Sequence, residues 1–110
     1  MAHYSGTLDG VFGALADPTR REVVARLGGG PASVTALARE FPMTLPSFLK
    51  HVRVLEASGL VRTAKSGRVR TCELDRERVA LVEDWLGEQR RTWEQVTDRL
   101  QHFVEQEDPA

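Results

Sequence analysis

Hydrogen-bond donors and cations are concentrated in the stretch from residue 41 to residue 60, whose sequence is FPMTLPSFLKHVRVLEASGL. Ser47, Lys50, His51 and Arg53 lie within seven residues of one another in this stretch. Lysine, arginine and serine side chains bind phosphate oxygens and donate to the edges of bases. The stretch is therefore suited to insertion into the major groove of DNA, although an ordinary amphipathic helix with a solvated basic face has the same pattern.

The same stretch has the local signals of one short helix, from about residue 45 to residue 58. Thr44 is a good N-cap residue, and Pro46 fits the first turn, where a backbone N–H is not needed. Gly59 is expected to end the helix as the residue after its C-cap. Three apolar residues recur at i, i+4 and i+7 and predict one buried face: Phe48, Val52 and Leu55.

The net charge of the chain is −1, but the charges are distributed unevenly. Residues 1–43 have four basic and four acidic side chains, residues 44–76 have seven and three, and residues 77–110 have four and nine. The positive segment coincides with the predicted helix and the residues that follow it. A local positive potential of this kind attracts a phosphate backbone.

Two helices are predicted near the N-terminus, after a loose segment at residues 1–7. Apolar residues three to four positions apart indicate the first helix between residues 8 and 16. Asp17 and Pro18 form a cap followed by a first-turn proline, so a second helix is expected to start there. The glycine triplet at residues 28–30 ends it.

A third helix is expected over residues 34–41, capped by Ser33 and with its apolar side chains turned inward. Pro42 and Met43 form the short turn to the fourth helix, the one that contains the basic cluster. Two helices of this length joined by so short a turn make a helix-turn-helix.

Residues 61–74 change to the residue types of β-strands. A turn at residues 65–67 separates two runs of β-forming residues, which predicts a hairpin. Lys65, Arg68 and Arg70 make this hairpin basic. Charges also protect the edges of ordinary sheets, but the position directly after the helix-turn-helix favours a wing.

The last and longest helix is expected from residue 75 or 76 to residue 104. A heptad-like seam, broken only by a glutamine, runs along it: Val82, Leu86, Gln89, Trp93, Val96, Leu100 and Phe103. A helix of this length needs a cover for its apolar stripe, which a second copy of the chain or the first helix would provide. The tail at residues 105–110 is expected to be disordered.

Groupings that would indicate catalysis or metal binding are absent from the sequence. His3, His51 and His102 lie far apart, and Cys72 is the only cysteine, so an internal disulfide is excluded. We expect Cys72 to be a small core residue rather than a redox switch. The glycine triplet has no following Lys-Ser/Thr, so it is not a phosphate-binding loop. We therefore expect no enzymatic activity, no cofactor and no bound metal.

Size and composition indicate a single domain of ordinary globular character. The chain has 110 residues, of which 41% are hydrophobic and 28% are charged. It contains no apolar run of membrane-spanning length, and its N-terminus does not have the pattern of a signal peptide. We therefore expect a cytoplasmic protein that has no membrane partner.

Three strings in this order resemble the ArsR family of dimeric winged-helix repressors: ALADPTRREVVARL, VTALAREFPMTLPSFLKHVRVLEASGLV and KSGRVRTCEL. The run VEDWLGEQRRTWEQVTDRLQHFVEQ is similar to a branch of that family without metal sites. The resemblance implies a mostly α fold with a small β-hairpin, a winged helix-turn-helix with five helices. It divides the single domain into a core with wing at 8–75 and a long dimerisation helix at 76–104.

The resemblance also implies a symmetric homodimer that represses transcription by binding an inverted repeat in double-stranded DNA. The residues expected to face bases are Leu45, Ser47, Leu49 and Lys50. The residues expected near phosphates or in the adjoining first turn are Thr44, Pro46, His51 and Arg53. The wing would contribute Lys65, Arg68 and Arg70. The dimer interface would comprise residues of the first and last helices: Leu8, Val11, Phe12, Leu86, Gln89, Trp93, Val96 and Leu100.

The chain departs from the best-known members of the family in two respects. Its third helix has no cysteine pair, and His102 is the only histidine of the last helix, so the metal sites of those members are not expected. Leu45 and Leu49 occupy positions that are polar in many relatives. Leu49 is expected either to contact a thymine methyl group or to pack against the third helix.

A second function from a different class is a winged-helix module that binds proteins and never contacts DNA. The basic segment at residues 44–76 favours DNA, because a purely protein-binding module has little need for seven cations there. The sequence identifies neither the operator, nor the regulated genes, nor a small-molecule effector.

Overall fold

The computed structural model describes the backbone of residues 2–107 and the side chains of residues 6–106. The elements are α1 (Ala2–Leu15), α2 (Pro18–Leu27), β1 (Ala32–Ser33), α3 (Val34–Ala38), α4 (Leu45–Ala57), β2 (Val61–Ser66), β3 (Val69–Leu74) and α5 (Arg76–Glu107). Together α3 and α4 form a helix-turn-helix, and β2 and β3 form a wing directly after it. The predicted winged helix-turn-helix with five helices is confirmed.

The chain divides between Val79 and Ala80 into two compact units. The first unit contains α1 to β3 and the start of α5. The second unit is the remainder of α5. Within the described part of the chain, no helix is both long enough and apolar enough to cross a bilayer.

Three predicted N-caps are confirmed, because a side-chain oxygen of each accepts from the backbone N–H three residues on. The acceptor distances are 3.1 Å for Asp17, 3.1 Å for Ser33 and 3.3 Å for Thr44. Gly59 follows α4 with φ of +82°, the left-handed conformation that favours glycine after a helix. A Cβ at Gly59 would lie 2.8 Å from the guanidinium of Arg78, a flexible side chain that would have to shift.

The three strands form one antiparallel sheet in the order β1-β3-β2. The wing pairs Ser66 with Val69, so its turn consists of Gly67 and Arg68, whereas the predicted turn comprised residues 65–67. Gly67 has φ of +61°, which a two-residue hairpin turn requires. The strand β1 was not predicted, because a two-residue strand is too short to show an alternating pattern.

Apolar side chains from α1 to β3 form the core of the first unit. Phe48, Val52 and Leu55 are buried as predicted, and the ring centroid of Phe41 lies 5.2 Å from that of Phe48. Cys72 is fully buried, as expected of a small core residue. Burial, reinforced by the nearby Glu56 carboxylate, raises the pKa of the Cys72 thiol and keeps it protonated.

Three helix boundaries differ from the predictions. The helix α1 begins at Ala2, so residues 2–7 are helical rather than loose. The helix α3 ends at Ala38 rather than at residue 41, since Glu40 and Phe41 donate to carbonyls three residues back in a tighter turn. The helix α5 continues to Glu107, so residues 105–107 are helical, while 108–110 lie outside the described residues.

Candidate nucleic-acid interface

The helix α4 has two distinct faces. Phe48, Val52 and Leu55 point into the core, and the opposite face is open to solvent. Five of the DNA contacts predicted on this helix have exposed side chains: Leu45, Pro46, Ser47, Lys50 and Arg53. The exceptions are Leu49 and His51, which are half-buried. The sequence thus places one polar and cationic surface on a helix whose other face anchors it.

At the start of α4, Thr44 and Ser47 form a reciprocal pair. The Oγ1 of Thr44 accepts from the backbone N–H of Ser47 and donates to its Oγ at 3.0 Å. Since the Ser47 hydroxyl accepts in this contact, its own proton is free to donate to a base or a phosphate. Leu45, beside them, is half exposed and adds an apolar group to the same end of the helix.

The strongest candidates for direct contact on α4 are Lys50 and Arg53. Both are exposed, and neither has a hydrogen bond or an ion pair with any residue in the described part of the chain. Lysine donates to guanine O6 and N7, and either side chain binds phosphate. Val54, one turn after Lys50, is 40% exposed on the same side of the helix and was not anticipated from the sequence.

His51 differs from the other predicted contacts, because its Nδ1 is engaged inside the protein. It lies 3.2 Å from Nη1 of Arg20 and 3.7 Å from Oδ2 of Asp17. Since a guanidinium only donates, Nδ1 accepts in the Arg20 contact and the ring proton is assigned to Nε2. His51 therefore ties α4 to the start of α2, and only its Nε2–H is left for a phosphate.

Arg20 and Arg21 are structural residues of this site that the sequence reasoning did not single out. The Nε of Arg20 donates to the carbonyl of Ala14 at 2.6 Å, and its Nη2 donates to that of Gly13 at 3.3 Å. The Nη1 of Arg21 donates to the carbonyl of Leu15 at 2.8 Å. Both arginines thus satisfy carbonyls at the C-terminal end of α1, where cations are favoured.

The sequence contained a signal for this junction in the string DPTRR, a cap followed by two arginines near the end of the preceding helix. The backbone N–H of Arg20, with a smaller contribution from the charge of Arg20, lowers the pKa of Asp17 below its ordinary value of 3.8. The junction formed by Asp17, Arg20 and His51 joins the C-terminal end of α1 and the start of α2 to the middle of α4.

In the wing, four basic side chains are arranged in two ways. Lys65 and Arg68 are exposed at or beside the turn and have no partner among the described residues. Arg62 and Glu73 form an ion pair of 3.4 Å. Arg70 donates from Nη1 to Oγ1 of Thr63 at 2.9 Å. The wing thus offers two free cations and two arginines held by neighbours.

Comparison with known proteins also identifies a helix-turn-helix in this chain. A family model for a helix-turn-helix domain matches residues 15–64. The HTH-type transcriptional regulator Rv2034 of Mycobacterium tuberculosis is 42% identical over 67 residues, which cover 61% of this chain and 63% of that protein. The transcriptional repressor SdpR of Bacillus subtilis is 30% identical over 61 residues, which cover 56% of this chain and 68% of that protein.

Among solved structures, the crystal structure of the ArsR family transcriptional regulator RHA00566 matches with a TM-score of 0.77 and 56% identity. The match covers 83% of this chain and 94% of that one. The chain belongs to the ArsR family of transcriptional regulators. The resemblance seen in the sequence is confirmed, and the family consists of regulators rather than enzymes, which agrees with the expected lack of enzymatic activity.

The dimer interface predicted from the resemblance to the ArsR family lies on the first and last helices. Leu8 and Val11 are buried within the single chain. Phe12, by contrast, is 41% exposed. On α5, Gln89 is half-buried, and the remaining predicted residues are exposed: Leu86, Trp93, Val96 and Leu100.

The metal sites of some ArsR regulators have no counterpart in the described part of this chain. No group of three or more His, Cys, Asp or Glu side chains there is arranged to hold a metal ion. His102 is hydrogen-bonded on α5 to Nε2 of Gln106 at 3.0 Å.

Proposed function

We propose that the protein is a homodimeric, sequence-specific DNA-binding regulator that represses transcription from an inverted-repeat operator in the cytoplasm. The observation that supports this most directly is the exposed cationic surface shared by the helix-turn-helix and the wing. Its members are Lys50, Arg53, Lys65 and Arg68, all exposed and none paired with a described residue. Unpaired cations on adjacent elements are suited to a phosphate backbone, whose charges they neutralise.

Within this surface, α4 and the wing would have different roles. Ser47 and Lys50 lie on the exposed face of α4 and would donate to base edges, while Thr44 and Arg53 would bind phosphates beside them. Leu45 would contact a thymine methyl group, and half-buried Leu49 combines packing with a smaller contact of the same kind. The wing cations would bind flanking phosphates and contribute little sequence information.

A homodimer is supported by the surface of α5. All residues from 90 to 106 are exposed in the single chain, and apolar side chains recur among them: Trp93, Val96, Leu100, Phe103 and Val104. An apolar stripe of this length is covered when two copies of the helix pair. The two-fold axis of such a dimer would place two half-sites about 10 base pairs apart, or a multiple of that distance.

The test compares Lys50→Ala with Arg68→Ala on an operator selected from random duplexes by the wild-type protein. Lys50→Ala should lose about 1–3 kcal/mol of discrimination at one base pair of each half-site. Arg68→Ala should weaken binding to operator and scrambled duplex alike, and should reduce the slope of log affinity against log salt by about one unit.

Arg91→Ala is the matched control, because Arg91 is an exposed cation on α5 outside the proposed surface. Its affinity and salt dependence should equal those of the wild type. Equal effects of Lys50→Ala and Arg68→Ala on both duplexes would refute the division between α4 and the wing. A wild-type protein that retards no duplex at low salt would instead support the protein-binding alternative.

A further inference from the structure

Three side chains from three elements form a continuous hydrogen-bond chain between α4 and the wing. The Nη1 of Arg70, on β3, donates to Oγ1 of Thr63 at 2.9 Å. The Oγ1 of Thr63, on β2, donates to Oε2 of Glu56 at 2.8 Å. Glu56 belongs to the last turn of α4. The basic wing is therefore connected by side chains to the helix proposed to bind bases.

The direction of this chain is determined by its chemistry. A guanidinium can only donate and an ionised carboxylate can only accept, so the group between them must do both. The hydroxyl of Thr63 accepts a hydrogen bond from Arg70 and donates one to Glu56. A serine at this position would also satisfy both partners, and a valine of the same shape would satisfy neither.

The strand register explains why the side chain of Arg70 is held by Thr63. Arg70 is directly opposite Lys65 in the wing ladder, so two cations project from the same side of the hairpin. Like charges in directly opposite positions repel. The bond to Thr63, two residues from Lys65 along β2, draws the Arg70 guanidinium towards the base of the wing and towards α4.

We infer that Thr63 and Glu56 are positioning residues for Arg70, and that they orient its guanidinium to bind a DNA phosphate next to the one bound by Lys65. This inference rests on the proposed DNA-binding function. One of the five donor hydrogens of Arg70 is used by Thr63, and the others remain for a phosphate. A side chain that is already ordered loses less conformational entropy when DNA binds.

The first experiment measures the affinity of Thr63→Val and Thr63→Ser for operator and scrambled duplex. Thr63→Val should bind both duplexes about two- to tenfold more weakly, the range that corresponds to ordering one long side chain. Thr63→Ser should bind like the wild type, because it restores the hydroxyl. Valine is a strong β-former on β2, so thermal unfolding should change little.

The second experiment is a double-mutant cycle that distinguishes orientation from contact. Arg70→Ala should reduce the salt slope by about one unit, whereas Thr63→Val should leave the slope unchanged because Arg70 still reaches its phosphate. In the Arg70→Ala background, Thr63→Val should change affinity less than twofold. An undiminished effect of Thr63→Val in that background would overturn the inference.

The third experiment compares how the removal of two different acidic side chains changes the affinity for DNA. Removing an acidic side chain from a DNA-binding surface strengthens binding through its charge, and Glu73→Ala on β3 should do so, because it also frees its ion-pair partner Arg62. Glu56→Ala removes the same charge but also releases Thr63 and Arg70, so it should bind DNA more weakly than Glu73→Ala.

Equal gains in affinity for Glu56→Ala and Glu73→Ala would overturn the positioning role and leave the proposed function intact. A wild-type protein without affinity for any duplex would overturn the proposed function and, with it, this inference. The two failures are thus distinguished by the wild-type measurement.

Discussion

Replacement of Arg20 by alanine should remove the contacts that join three helices. The side chain of Arg20 bonds to the carbonyls of Gly13 and Ala14 at the end of α1 and to Nδ1 of His51 on α4. Arg20→Ala deletes all three side-chain bonds. The backbone N–H of residue 20, which caps Asp17, is retained.

The magnitude follows from the burial of each bond. The bonds to Ala14 and His51 are partly buried, and the bond to Gly13 is exposed. A hydrogen bond from a charged donor contributes about 1.5–3 kcal/mol. Taking the lower end for the two partly buried bonds, we expect Arg20→Ala to reduce the free energy of unfolding by about 3 kcal/mol. At roughly 4 °C per kcal/mol, the unfolding midpoint should fall by about 12 °C.

The neighbouring arginine provides a matched control. Arg21 makes a single exposed bond, to the carbonyl of Leu15, so Arg21→Ala should cost less than about 1 kcal/mol. Urea and thermal unfolding of both variants, at one fixed protein concentration because the proposed dimer is stabilised by association, would compare them. Arg20→Lys should recover little stability, because an ammonium cannot reproduce the fork geometry of a guanidinium.

Two outcomes would refute this reasoning. If Arg20→Ala and Arg21→Ala were equally stable, the junction at the end of α1 would contribute nothing beyond an exposed bond. If Arg20→Lys were as stable as the wild type, the contribution would come from charge and not from the three directed bonds.

Two further predictions concern acid stability and assembly. The native fold holds the pKa of Asp17 below its ordinary value of 3.8, so its contribution to stability is complete above that value and is lost as pH falls through the lower native pKa. Unfolding curves should therefore show a smaller loss of stability below about pH 4 in Asp17→Asn than in the wild type, and identical slopes would contradict this. Trp93 is 61% exposed in the single chain, so Trp93→Ala should weaken dimerisation without changing helix content. Sedimentation would show this, with Arg91→Ala as control, and a monomeric wild type at micromolar concentration would contradict it.

Local signals predicted the helical elements because each depends on residues only a few positions apart. The side chains of Asp17, Ser33 and Thr44 cap helices by bonding to backbone N–H groups three residues on, so the sequence itself contains both partners. Gly59 ends α4 for an equally local reason, since a left-handed residue after a helix favours glycine. The cationic surface of α4 was predictable for the same reason, because the buried apolar spacing determines which side chains face outward.

Contacts between distant segments were not predictable from the sequence. The strand β1 has two residues, and it exists because β3 offers a partner in Cys72 and Thr71. The hydrogen bond at Nδ1 of His51 depends on Arg20, which lies 31 positions away. The burial of Leu8 and Val11 likewise depends on the packing of α1 within the chain.

The sequence by itself determined three helix N-caps, the glycine that ends α4, and which face of α4 and which hairpin are basic, because these properties arise from neighbours along the chain. Only the tertiary structure decided which polar side chains are held by other elements before a ligand binds. Lys50 and Lys65 have no partner among the described residues, whereas His51 and Arg70 are engaged by other elements. The physical reason is that a hydrogen bond between elements requires both partners within about 3 Å, and folding alone brings them to that distance.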